Sequence, residues 1–105
     1  MINLNSLILE GKVSGEPSIL EEEKGKVLRF TVKSERSYKE ENGEEVKEIS
    51  SFICEAFGTM ADEKIVRLIQ NERGIRIVGR LKQYTDCEIP YVCIVCEHIE
   101  FKLNK

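Results

Sequence analysis

The chain has 105 residues, 41% of them hydrophobic and 33% charged, which suits one domain with a single core and excludes wholesale disorder. Its longest apolar run, Tyr91 to Cys96, falls far below the roughly 18 residues of a membrane span, and Met1-Ile2-Asn3-Leu4-Asn5 has no basic leader segment. A cytoplasmic protein with no membrane partner is therefore expected, its four cysteines held as free thiols. The net charge of −3 hides an uneven distribution, with acids gathered at Glu21, Glu22 and Glu23 and again at Glu40, Glu41, Glu44, Glu45 and Glu48.

From Asn5 to Ser14, Leu7, Leu9, Gly11 and Val13 alternate with Ile8, Glu10 and Lys12, the period of a strand. Gly15-Glu16-Pro17 is expected to break it, because proline cannot donate to a ladder and glycine frees the backbone to turn. A second strand begins near Lys26, with Leu28, Phe30, Val32 and Ser34 against Arg29, Thr31 and Lys33, and runs on toward Tyr38. Asn42-Gly43 then stands between two strand-like runs, a hairpin signal, and a third strand covers about Val46 to Phe57.

The period changes between Gly58 and Arg73, where Ala61, Ile65, Leu68 and Ile69 recur at helical spacing. Thr59 is the expected N-cap, and Gly74 the residue that closes the helix. From Gly74 to Tyr84 a fourth strand sorts Ile75, Ile77, Gly79, Leu81 and Gln83 to one side and Arg76, Val78, Arg80, Lys82 and Tyr84 to the other. The first side suits a core. The second suits a surface that follows a phosphate backbone and stacks a base, or else an ordinary solvated face. After a turn through Asp86 to Pro90 a last strand runs from Tyr91 to Phe101. Strand, strand, strand, helix, strand, strand is the order of an OB-fold, so the expected class is all-β: a five-stranded Greek-key barrel with one helix between strands three and four, a single domain over 1–105.

Taken together, NSLILEGKVSGEP, RFTVKSERSYK, EAFGTMADE, GRLKQYTD and EHIEF resemble the bacterial single-stranded DNA-binding proteins, from Asn3 to Phe101. The resemblance implies an OB-fold that assembles as a homotetramer, coats single-stranded DNA without strong sequence preference in replication, recombination and repair, and stacks bases on aromatic rings. The family's aromatic before the acidic hairpin corresponds to Tyr38, that of its AFG motif to Phe57, and that of its fourth-strand hairpin to Tyr84. A fourth family position falls on Ser51 without a gap, because the chain is one residue short here. Phe52 is the candidate for it, although strand parity groups Phe52 with Cys54 and Ala56 and turns it toward the core.

Each base–ring contact contributes roughly 1–3 kcal/mol and reads no sequence, since every base has a π-face. Lys33, Arg36, Arg76, Arg80 and Lys82 are the candidate phosphate contacts, on or beside the strands that bear the aromatics. The family's acidic C-terminal tip has no counterpart in Phe101-Lys102-Leu103-Asn104-Lys105, so recruitment of replication and repair proteins through a tail is not inferred and those partners stay open.

Cys87, Cys93, Cys96 and His98 invite a zinc reading. Cys93 and Cys96 would face opposite sides of a strand, however, whereas zinc sites pair their thiolates on a turn. No metal or other cofactor is expected. The two glycines flanking the fourth strand have no phosphate-loop spacing and the one histidine has no nucleophile near it, so no enzyme is expected either. Two functions stay open: a module that coats single strands, and a barrel whose acidic loops repel DNA and which acts as a protein-interaction subunit.

Overall fold

The computed structural model describes residues 2–86 and 88–103. In the first strand, β1 (Leu7–Glu22), alternation holds: Leu7, Leu9 and Val13 turn inward and Ile8, Glu10 and Lys12 outward. Gly15-Glu16-Pro17 does not end the strand. Gly15 takes a φ of 79°, the ladder to the next strand slips between Ser14 and Ser18, and pairing then resumes as far as Glu22. The expected break is a bulge, which absorbs both the left-handed glycine and the missing proline donor. Its position is pinned by Asn71, whose Oδ1 accepts from the Gly15 N–H at 2.7 Å, and by backbone hydrogen bonds from Val13 to Arg73 and from Glu72 to Val13.

β2 (Gly25–Lys39) and β3 (Glu45–Phe57) form one unbroken antiparallel ribbon from Val27 opposite Phe57 to Lys39 opposite Glu45. The Asn42-Gly43 hairpin is present, with Gly43 at a φ of 85° and Asn42 Oδ1 accepting from the Glu44 N–H at 2.9 Å. The ribbon is much longer than the barrel is tall, so its inner half buries Leu28, Phe30, Val32, Cys54 and Ala56 while its outer half projects into solvent.

Between β3 and the fourth strand the expected long helix is replaced by a 3-10 turn, Gly58–Ala61, and a short α1 (Glu63–Leu68). Asp62 caps α1 in place of Thr59, its Oδ1 accepting from the Lys64 N–H at 3.0 Å. An acceptor at this position starts the helix later than the apolar spacing suggested. Fewer than two turns follow, so Ile69 plugs the barrel from the C-cap while Leu68 stays outside. Glu72, at a φ of 72°, turns the chain before Gly74, which opens a strand instead of closing the helix.

β4 (Gly74–Asp86) and β5 (Ile89–Phe101) make the last hairpin. Ile75 and Ile77 are wholly buried, but Leu81, placed on the core side by its sequence parity, is 49% exposed, and Gln83 is exposed as well. Past Gly79 the ladder of β4 to β1 has ended, so β4 runs on with only β5 beside it. Asn5 steadies this overhang by donating to the Leu81 carbonyl at 2.8 Å and accepting from the Leu81 N–H at 3.0 Å. Val78 pairs with His98 and Gly79 with Cys96, so Glu97 is an extra residue, and inward parity on β5 passes from Ile94 and Cys96 to Ile99 and Phe101.

The strands close as β1-β2-β3-β5-β4, with β4 pairing back onto β1 and β3 joined to β5 by a short parallel seam, Cys54 to Ile94 and Glu55 to Val95. This is the five-stranded OB barrel with its helix between the third and fourth strands. Two glycines permit its tight curvature: a Cβ on Gly11 would enter the Lys33 carbonyl oxygen, and one on Gly79 the Val95 carbonyl oxygen.

Candidate nucleic-acid interface

Register sets the outward residues of four strands side by side. Across β2 and β3, Val27 faces Phe57 and Arg29 faces Glu55; across β5 and β4, Cys93 faces Lys82 and Tyr91 faces Tyr84. The Tyr84 and Tyr91 rings stack with centroids 5.6 Å apart and planes inclined by 22°, and Lys82 Nζ lies 4.7 Å from the centre of the Tyr84 ring. Phe57, Tyr84 and Lys82 line a single groove of about 480 Å³ with Gly58, Lys24 and Lys26, and Glu22 and Glu23 line it too. Two rings and three ammonium groups around one groove are the components of a surface that stacks bases and neutralises phosphates.

Beneath this face lies a feature the sequence reading left without a role. Glu55 is 2% exposed although its strand parity is outward. Arg29 donates to its Oε2 twice, from Nη2 at 2.6 Å and Nε at 3.1 Å, and the Cys93 thiol donates to Oε1 at 3.6 Å. Burial pulls the Glu55 carboxyl upward, but the hydrogen bonds and charge of Arg29 outweigh it and hold the group below its ordinary value. The partners respond in the opposite sense. Burial first, then Glu55, pushes the Tyr84 hydroxyl up to about 12 and the Cys93 thiol up to about 11.

Of the aromatics singled out in the sequence, Phe57 and Tyr84 are thus brought together. Tyr38 and Phe52 are not with them. Both lie on the other side of the β2–β3 ribbon, where Tyr38 is opposite Val46 and Phe52 opposite Val32. Phe52 keeps the inward parity read from the sequence, but it sits at the open end of the barrel, partly exposed, and lines a second groove with Ile8, Ser34, Arg36 and Ser50. Tyr91 was missed. Its signal was available in the short β4–β5 turn, since the register that pairs Thr85 with Pro90 puts Tyr91 directly across from Tyr84.

The candidate cations divide as well. Arg80 and Lys82 continue the outward row that ends at Tyr84, and Lys33 is exposed opposite Ser51 on the same side of the ribbon as Phe57. Arg36 faces Glu48 on the Tyr38 side. Arg76 stands between Glu10 of β1 and Glu100 of β5, and it contributes, after Lys102 at 2.7 Å, to holding the Glu10 carboxyl below its ordinary value. Of those two carboxylates, Glu10 pairs with Lys102 and Glu100 with His98. Lys24 and Lys26, at the β1–β2 turn, join the groove without having been anticipated. Cys93 and Cys96 are buried on opposite sides of β5, Cys93 against Glu55 and Cys96 in the core, while Cys87 lies outside the described residues.

The protein is similar to several of known kind. A single-stranded DNA-binding protein of Staphylococcus epidermidis is 37% identical over 60 residues, 55% of this chain and 43% of that one. One of Aquifex aeolicus is 33% identical over 81 residues, 76% of this chain and 54% of that one. The chain therefore spans about half the length of these relatives. Among solved structures, a deletion mutant of the single-stranded DNA-binding protein of Thermus aquaticus superposes with a TM-score of 0.86 at 21% identity, over 97% of this chain and 52% of that one. The Plasmodium falciparum SSB in complex with ssDNA superposes with a TM-score of 0.83 at 18% identity, over 97% of both chains. These structures share the fold. The sequence profile described as the single-strand binding protein family matches residues 4–88, and the chain belongs to that family.

Proposed function

We propose that this protein binds single-stranded DNA without reading its sequence and protects it during replication, recombination and repair. The observation that carries the reading is the groove shared by Phe57, Tyr84 and Lys82 on the open face of the barrel. Unpaired bases stack on Phe57 and on the Tyr84–Tyr91 pair, while Lys82, Arg80, Lys24 and Lys26 displace counterions from the backbone. Tyr38 and Arg36 meet the strand where it passes around the projecting ribbon, with Phe52 and Lys33 on its two sides. A homotetramer is the proposed assembly, supported by Ile8, 61% exposed on the outer face of β1 beside Val78. The carboxylates lining the groove and on the 40–48 hairpin favour a second reading, a barrel that avoids DNA and serves as a protein-interaction subunit.

Titration of the tyrosine fluorescence with oligo-dT and with a duplex of equal length, at several salt concentrations, separates the two. Tight, salt-dependent binding of the single strand with little affinity for duplex is expected, because stacking requires bases that are not already paired. Equal affinity for both, or no binding of either, discards the single-strand reading in favour of the interaction subunit. Light scattering on the same sample gives the assembly, and a monomer mass at micromolar concentration removes the tetramer.

A further inference from the structure

We propose that Arg29 is a base-reading residue of the stacking face: the free end of its guanidinium fork, held in place by Glu55, donates to the edge of a guanine. This inference rests on the single-strand reading above, and it adds one base-selective contact to a face whose rings accept any base. Arg29 lies on β2 opposite Glu55 of β3, next in the outward row to Val27, which lines the groove.

The Glu55 carboxylate is almost wholly buried, and Arg29 meets it with one side of the guanidinium, giving Nε and Nη2 to the same oxygen at 3.1 and 2.6 Å. Two of the five N–H groups are spent there, and the end of the fork remains, with one hydrogen on Nη2 and both on Nη1. Among the described residues no acceptor meets Nη1, and the buried side-chain nitrogen without a partner is Nε of Arg73, so Nη1 of Arg29 opens to solvent. The Arg29 side chain as a whole is 38% exposed. On either side of the pair along β3, Ile53 and Phe57 are apolar and partly exposed, so the fork emerges in a strip suited to bases. Successive outward residues of a strand stand about 7 Å apart, close enough for a base stacked on Phe57 to bring its edge to the fork. Glu55 offsets the charge of Arg29, so a phosphate gains little here and hydrogen-bond geometry decides what is bound. Guanine sets two acceptors, O6 and N7, side by side, which two parallel N–H groups match, whereas adenine puts its N6 donor beside N7.

The probes are short thymine oligonucleotides carrying guanine, adenine or 7-deazaguanine at every third position, so that every binding frame meets the substituted base. Lithium salt keeps the guanines from associating. The parent is expected to bind the guanine strand about 3–10-fold more tightly than the adenine strand, the low end for a bidentate base contact because the guanidinium is partly solvated. Loss of N7 in 7-deazaguanine should erase most of that ratio. Arg29→Lys keeps a cation beside Glu55 but has no fork, and should bring the ratio below about 2-fold. A merely structural role would weaken binding to both strands alike and leave the ratio as in the parent. Should Arg29→Lys fail to fold, the double variant Arg29→Met with Glu55→Met, which strands no charge, takes its place with the same expected ratio. A parent ratio near one overturns the proposal, as does a ratio that survives the loss of Arg29. A surviving ratio with a flatter salt dependence makes Arg29 a phosphate contact instead. Binding of none of the three strands refutes the single-strand reading itself, whereas tight binding of all three alike refutes only the base contact.

Discussion

Replacing Arg29 by methionine strands the Glu55 carboxylate in the wall of the barrel with no cation beside it. Removing one partner of a fully buried pair costs about 3–5 kcal/mol. The Arg29 side chain is 38% exposed, so water already screens part of the attraction, and a loss of about 2–3 kcal/mol is the better expectation. At roughly 4–8 °C per kcal/mol for a domain near this size, the midpoint should fall by about 10–20 °C. The effect of pH gives the sharper check. In the parent, the Glu55 carboxyl is held below its ordinary value of 4.5. Its stabilisation is therefore fully present above that value and is lost as pH falls through the lower folded value. In Arg29→Met the cation is gone and burial dominates, so the folded value rises. The variant is then penalised at neutral pH and recovers as acidification protonates the stranded group. Urea unfolding of both proteins at pH 7.5 and pH 5, at one protein concentration so that assembly does not confound the comparison, should show the gap narrowing toward acid. A gap that is constant or widens would refute the reasoning.

Gly11→Ala and Gly79→Ala should each destabilise the barrel by about 1–3 kcal/mol, since the added methyl meets backbone oxygen and no flexible side chain can yield; thermal midpoints unchanged within error would contradict this. Lys82→Ala should flatten the dependence of log affinity on log salt by about 0.7. Arg76→Ala should change it far less, because Arg76 does not line that groove and is in register with Glu10 and Glu100. Equal slopes for the two variants would count against the groove as the binding surface. Glutamine at Glu40, Glu41, Glu44 and Glu45 should tighten oligo-dT binding at low salt and have little effect at high salt, where charges beyond roughly 8–10 Å are screened. Unchanged affinity at low salt would place the hairpin tip away from the strand.

Much of the fold was legible because alternation survives folding wherever one side of a strand meets the core. Leu7, Leu9 and Val13, or Ile75 and Ile77, needed no more than period two. The pattern failed where a strand outruns the core it packs on. Leu81 and Phe52 both keep inward parity, yet each lies where the ladder on one side of its strand has ended, and parity carries no information about where a neighbouring strand stops. Local chemistry also outweighed pattern. The bulge at Gly15 and the late cap at Asp62 were each set by a single residue's hydrogen bonding or backbone freedom, against the run of its neighbours. In the candidate site, Phe57 and Tyr84 were found because their residue types mark them, whereas Tyr91, Lys24 and Lys26 required the register of two turns. The Glu55 cluster was invisible for a different reason. Its members, Arg29, Glu55 and Cys93, come from three strands, and no local spacing connects them.

The parallel seam between β3 and β5 has a consequence for how the barrel breathes. It is two ladder pairs long, while the antiparallel ladders on either side, β2 with β3 and β4 with β5, run nearly the full length of their strands. Local openings follow the weakest cooperative boundary, so β3 should part from β5 before either hairpin frays at its root. Cys54 lies on one bank of that boundary and Cys93 and Cys96 on the other, all three buried as free thiols. The molecule thus contains its own gauge of breathing. With Cys87 changed to serine, the rate at which a thiol reagent labels the protein, followed against denaturant, measures the free energy needed to part the two hairpins. A second rate that depends more steeply on denaturant would mark the loss of the whole barrel.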